Sequence, residues 1–300
     1  MARSDTPLDS SGSEKRKYLK NNSIMNRIII TIVLFLACLV SPVKAQPGQL
    51  AAIKGTVAEG YNFWLYAPRE YVAEHRRIPV IIFLHGASLC GNNMQRVRRY
   101  GLLHAIEKGR YYPAMVIAPQ NPGGAWSPKR IANILDWVQA NYDTDTTRVY
   151  VIGMSLGGYG TLDFTGTYPE RVAAAMALCG GSTLKDFSGL GRVPLWIMHG
   201  TADRAVSIKE SKRVVGAMQA AGYDKLLRYD WLPGASHGDP ARILYLKQTY
   251  DWLFSHSLDD KPRYLETDIP ISMSDLKTAY EYLDPEETRF EIVDGIRKSE

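Results

Sequence analysis

The stretch Val149-Tyr150-Val151-Ile152-Gly153-Met154-Ser155-Leu156-Gly157-Gly158 runs from a continuous apolar segment into a glycine-flanked serine and then into residues of helical pattern. Four consecutive apolar residues bounded by glycine read as a strand buried on both faces. Gly153, Ser155 and Gly157 match G-x-S-x-G, and the flanking strand and helix are the context in which such a serine sits on a sharp turn. Glycines two before and two after leave room for a strained backbone and for close packing of the helix on the sheet. The segment is no phosphate loop, because Tyr159 stands where that motif needs lysine.

Outward from this turn, short apolar runs recur at Asn62–Ala67, Pro79–His85, Ala114–Pro119, Arg148–Gly153, Val172–Leu178, Pro194–His199 and Leu226–Leu232. Helix-like stretches follow the later ones at Pro128–Tyr142, Leu156–Tyr168, Ser207–Ala221 and Pro240–His256, with Ile131, Ile134, Leu135 and Val138 on one face. Alternating strands and helices predict an α/β fold: a doubly wound, mostly parallel sheet with helices on both faces. No fixed-period repeat interrupts it.

A serine hydroxyl is a poor nucleophile until a base takes its proton, so a histidine and an orienting carboxylate are needed. Asp203 follows the apolar run Val193–Met198, and His237 follows the run ending at Leu232, in the order Ser155, Asp203, His237. The intervals of 48 and 34 residues each accommodate a helix and a strand, which brings all three to the carboxyl edge of the sheet. The loop Leu84-His85-Gly86-Ala87-Ser88 reaches the same edge, so the Ala87 and Leu156 N–H groups are the expected oxyanion hole, worth about 3 kcal/mol each in kcat. His85 and His199, at strand ends before glycine, are read as rings that fix loop geometry. Asp163 and Asp239 are alternative orienters. No H-E-x-x-H and no paired Cys/His spacing occurs, so neither a metal nor another cofactor is expected.

Over 300 residues the chain is 45% hydrophobic and 22% charged, with a mean hydropathy of −0.21, which suits a globular domain better than disorder or a polytopic membrane protein. The net charge of +5 comes largely from residues 1–45, and residues 46–300 carry 29 basic against 28 acidic groups. A nucleic-acid partner therefore lacks its main electrostatic support. Residues 257–300 hold six basic and twelve acidic groups, leaving 46–256 at +7.

The apolar run Ile28–Val40, after a basic cluster and before Val43-Lys44-Ala45, reads as a secretory signal, too short for a stable membrane span. Alternative readings are an uncleaved anchor and a lipoprotein attached through Cys38; Met25 is an alternative start. The expected organisation is thus 1–45 signal and extension, 46–256 catalytic domain and 257–300 an acidic appendage, with secretion or a periplasmic location. Within the appendage Ser272–Leu283 reads as one helix and Thr288–Val293 as a short strand, and its acidic charge is expected to lie against the +7 domain, the alternative being a flexible solvated tail. After cleavage only Cys90 and Cys179 remain, no disulfide scaffold, and whether they pair stays open.

His85-Gly86, Gly153-Met154-Ser155-Leu156-Gly157-Gly158, His199-Gly200-Thr201-Ala202-Asp203 and Ser236-His237-Gly238 together resemble the α/β-hydrolase superfamily. The likeness is to its compact carboxylesterase, dienelactone-hydrolase and prolyl-oligopeptidase-like branches, and it covers roughly residues 60–256. The chain departs from the oligopeptidases in having no propeller before the first strand, and from lipases in lacking a long apolar lid. The resemblance implies a serine esterase working through an acyl-enzyme on a small-molecule or carbohydrate-linked ester, feruloyl or acetyl. A peptidase of the same fold and a non-catalytic binding protein are the alternatives. Tyr111, Tyr112 and Trp126 are the expected aromatic surface near the site, with Trp126 either stacking on a sugar or phenolic group or merely covering the core.

Overall fold

The computed structural model describes residues 47–296 apart from His75; the signal and lipoprotein readings, with Cys38, lie outside the described residues. Within these bounds nine strands form one sheet: β1 (Gly48–Ile53), β2 (Phe63–Ala67), β3 (Ile78–Leu84), β4 (Met115–Pro119), β5 (Thr144–Met154), β6 (Ala174–Leu178), β7 (Leu195–Gly200), β8 (Leu227–Leu232) and β9 (Phe290–Val293). Their order is β8-β7-β6-β5-β3-β4-β2-β1-β9. β3 to β8 pair in parallel, and β2 runs antiparallel to both β1 and β4. The principal helices are α1 (Arg69–Glu74), α2 (Leu102–Glu107), α3 (Pro128–Asn141), α4 (Leu156–Thr167), α5 (Lys209–Ala220), α6 (Lys247–Phe254) and α7 (Met273–Lys277).

The two-residue period of the strands divides the core. On β3, Val80, Ile82 and Leu84 join one apolar layer while Ile81 and Phe83 join the other, and on β5 Val149 and Val151 oppose Tyr150 and Ile152. Both sets are buried, which is why these strands read as unbroken apolar runs. α3 starts where Ser127 Oγ accepts from the Arg130 N–H with Pro128 in the first turn, and it buries Ile131, Ile134, Leu135 and Val138. Cys90 and Cys179 are free thiols.

Residues 257–296 differ from the appendage expected of them. β9 pairs in parallel with β1 and extends the sheet, and Ile271, Leu276, Ala279 and Ile296 are buried in the two apolar layers. The acidic surplus does not meet the basic domain through side-chain charges: among the described residues no carboxylate of this segment forms an ion pair. Backbone carbonyls do the joining instead. Arg263 donates to the carbonyls of Arg192, Val172 and Ala173, Trp252 Nε1–H to Glu266 at 2.9 Å and Arg228 to Ile269 at 3.0 Å. The expected long helix is confined to α7, whose start is fixed by a capping box between Ser272 and Asp275. β1 was not anticipated either, because its alanines carry little strand preference.

Ending the chain at His256 should therefore expose apolar surface and orphan several donors. At about 1.5–3 kcal/mol per lost apolar side chain, the truncated protein is expected to be insoluble or to melt at least roughly 10 °C lower. Soluble protein with the parent Tm in a thermal melt would contradict this integration.

Candidate active site

Because β3, β5, β7 and β8 run in parallel, the loops after them share one edge of the sheet. Ser155 follows β5 directly with φ 58° and ψ −119°, a left-handed backbone that costs a non-glycine residue about 1–3 kcal/mol. It is held there by its own N–H donating to the Leu178 carbonyl at 2.8 Å and by the Tyr159 N–H donating to its carbonyl at 3.1 Å. Gly157 shows why the motif needs glycine: a Cβ there would lie 1.8 Å from the Leu84 carbonyl oxygen, so α4 can approach the end of β3 only without one.

His237 and Asp203 meet as their strands imply, with His237 Nδ1 at 2.7 Å from Asp203 Oδ2. The other Asp203 oxygen accepts from the N–H groups of Ala205 at 2.8 Å and Val206 at 2.9 Å. Burial works against ionisation of Asp203, but the hydrogen bonds from His237, Val206 and Ala205 outweigh it and hold the carboxyl below its usual range. His199 braces the same carboxylate: its Nε2 is 3.1 Å from Asp203 Oδ2 and 3.0 Å from the Val206 carbonyl, and its Nδ1 lies 2.7 Å from Ser211 Oγ. Burial pushes the His199 ring down.

The loop after β3 is fixed by His85. Its Nε2 accepts from the Asn121 N–H at 3.1 Å, so the proton resides on Nδ1, which donates to the Gly86 carbonyl at 2.8 Å. Burial pushes this ring down to about 4, in keeping with a neutral imidazole. Ala87 begins a short turn and Leu156 begins α4, so neither N–H has an acceptor within its own element. Asp163 is committed elsewhere, to Ser182 Oγ at 2.6 Å and to Thr183. Asp239 accepts from the N–H and hydroxyl of Ser236 at 2.7 and 2.8 Å.

Ser155, Leu156, Ala87 and His237 line one cavity of about 700 Å³, together with Met154, Tyr100, Tyr159, Tyr245 and Tyr280. Trp126 is not among them. It is 3% exposed, packs edge-on against His85 and Tyr61, and donates from Nε1 to the His85 carbonyl at 3.3 Å, so it supports the loop from beneath and cannot stack on substrate. Tyr112 is likewise buried, stacked on Tyr250, and Tyr111 lies under Arg69. The aromatic walls are other tyrosines. Tyr159, one helical turn beyond Ser155, was findable from spacing; Tyr245 and Tyr280 had no local signal.

One juxtaposition was invisible in the sequence. Donor atoms of Cys179, Asp203 and His237 lie within 4.8 Å of one another, a set that could hold a soft cation. Burial pushes the Cys179 thiol up to about 12, so it is a protonated, poor ligand at neutral pH.

Comparison with known proteins agrees with this architecture. The chain is 24% identical over 254 residues to acetylxylan esterase A of Emericella nidulans, an alignment covering 75% of this chain and 78% of that protein. Among solved structures, a thermostable esterase superposes with a TM-score of 0.54 at 24% identity, covering 65% of this chain and 59% of that one. A feruloyl esterase module from Clostridium thermocellum, complexed with sinapinate, superposes with a TM-score of 0.52 at 17% identity, covering 68% and 90%. Both share the α/β-hydrolase fold with this chain. The family model Esterase ("Putative esterase") matches residues 56–214, just over half of the sequence, and the chain belongs to that esterase family.

Proposed function

We propose that this protein is an exported serine hydrolase that cleaves carboxylic esters attached to polysaccharides, with Ser155 as nucleophile. The observation that carries the reading is the 2.7 Å contact between His237 Nδ1 and Asp203 at the rim of a cavity that Ser155 also lines. With Nδ1 donating to the carboxylate, the His237 proton is fixed there and Nε2 is left as the base. Ser155 Oγ attacks the ester carbonyl as its proton passes to His237, and the Ala87 and Leu156 N–H groups receive the oxyanion. Collapse expels the alcohol, which takes the proton back from His237, and leaves Ser155 acylated. Water then repeats the sequence in reverse and frees the acid.

The imidazolium formed in each half is balanced by Asp203, whose depressed carboxyl stays ionised. The acetylxylan esterase relative supports a carbohydrate-linked ester, and the peptidase reading is not favoured, since the family and this relative are esterases. Export rests on the reading of residues 1–45 as a leader; among the described residues no helix is long and apolar enough to cross a membrane.

Ser155→Ala is expected to lower ester kcat/KM by at least about 10⁴-fold with an unchanged thermal melt, since the turn accepts a small residue. Activity within about tenfold of the parent would remove Ser155 from the mechanism. Asp203→Asn should cost about 10⁴-fold in kcat, because the amide cannot keep the His237 proton on Nδ1, whereas Asp239→Asn, whose carboxylate serves the Ser236 turn and faces Arg242, should cost less than about tenfold. Steady-state assays on acetyl esters check the ranking, and the reverse order would reassign the acid.

A further inference from the structure

Two cavities flank His237. The first, of about 700 Å³, contains Ser155 and has mostly apolar, tyrosine-rich walls. The second, of about 610 Å³, lies beyond His237 among Ala202, Arg204, Ser236 and Gly238 and contains neither Ser155 nor Leu156. An ester must place its alcohol oxygen where His237 can protonate it, which points the leaving group toward the second, more polar groove. The acyl group then falls into the first cavity, beside the serine.

That first cavity is closed on one side by a pair of rings of different character. Tyr245 is 3% exposed and anchored, its hydroxyl 2.8 Å from His104 Nδ1 and its carbonyl accepting from Arg110 at 2.7 Å. Tyr280 comes from the C-terminal segment, just after α7, and is 50% exposed. Its ring centroid is 4.6 Å from that of Tyr245, and the Arg242 guanidinium lies 5.8 Å from its centre. Buried Leu276 and Ala279 fix the backbone that presents it.

An acetyl group occupies a small part of such a space and would leave the half-exposed Tyr280 ring facing water. A planar ring laid against the exposed face of Tyr280 would cover it. We infer that Tyr280 is a specificity-determining residue, through which the C-terminal segment selects esters whose acyl group carries a planar aromatic ring. This rests on the reading of Ser155 as the nucleophile.

The test compares ethyl 4-hydroxycinnamate with ethyl acetate, which share the alcohol and differ in the acyl group, in the parent, Tyr280→Ala and Tyr280→Phe. The ratio of the two kcat/KM values should fall about five- to tenfold in Tyr280→Ala and change less than about twofold in Tyr280→Phe, which keeps the ring. An unchanged ratio in Tyr280→Ala, or an equal fall in both variants, would overturn the inference. Calorimetric binding of 4-hydroxycinnamate to Ser155→Ala, with and without Tyr280→Ala, separates the subsite from the chemistry. Weakening by a similar factor supports the inference, and equal affinities overturn it. Should the parent hydrolyse neither ester, the nucleophile reading fails, and this binding arm still decides whether Tyr280 receives a ring.

Discussion

Everything at the carboxyl edge depends on the close approach of α4 to the end of β3, where Gly157 sits against the Leu84 carbonyl with no space for a Cβ. That approach brings the first turn of α4, and with it the Leu156 N–H, beside the loop that carries the Ala87 N–H. It also forces Ser155 into its left-handed backbone, whose cost is offset by bonds from and to the neighbouring main chain and by the packed layers on both faces of β5. Strain is tolerable here because the surrounding sheet determines the geometry more strongly than the local preference of serine.

The remaining polar groups at this edge are arranged so that each buried ring has a definite job. His85 joins the loop after β3 to Asn121, and Trp126 closes that loop from below. His199 presents Nε2 to Asp203, so the carboxylate that orients His237 is itself oriented by a second ring. Desolvation alone would favour protonated Asp203; the bonds from His237, Val206 and Ala205 reverse that preference and keep a negative charge beside the His237 ring.

The central strands were legible in the sequence because a strand buried on both faces admits little except apolar residues, and the turn around Ser155 because only glycine satisfies its contacts. Asp203 and His237 could be placed since a loop following a parallel strand has one edge to emerge from. The boundary drawn at Ser257 reflected composition, whereas the integration of the following residues depends on carbonyl groups accepting from Arg263, Trp252 and Arg228, and every residue type carries a carbonyl. Trp126 was misplaced for a related reason: a loop at the correct edge says nothing of whether its indole turns outward or, as here, under His85. Tyr280 lies 125 residues beyond Ser155, and its place at the cavity follows from tertiary packing that leaves no periodic trace.

The most direct test of the account is peptide mass mapping after reaction with a fluorophosphonate, which phosphonylates only a serine that an adjacent base has activated. Stoichiometric labelling at Ser155 in the parent, slowed by orders of magnitude in Asp203→Asn, is the predicted result. Absence of labelling, or labelling at another serine with Ser155 unmodified, would contradict it.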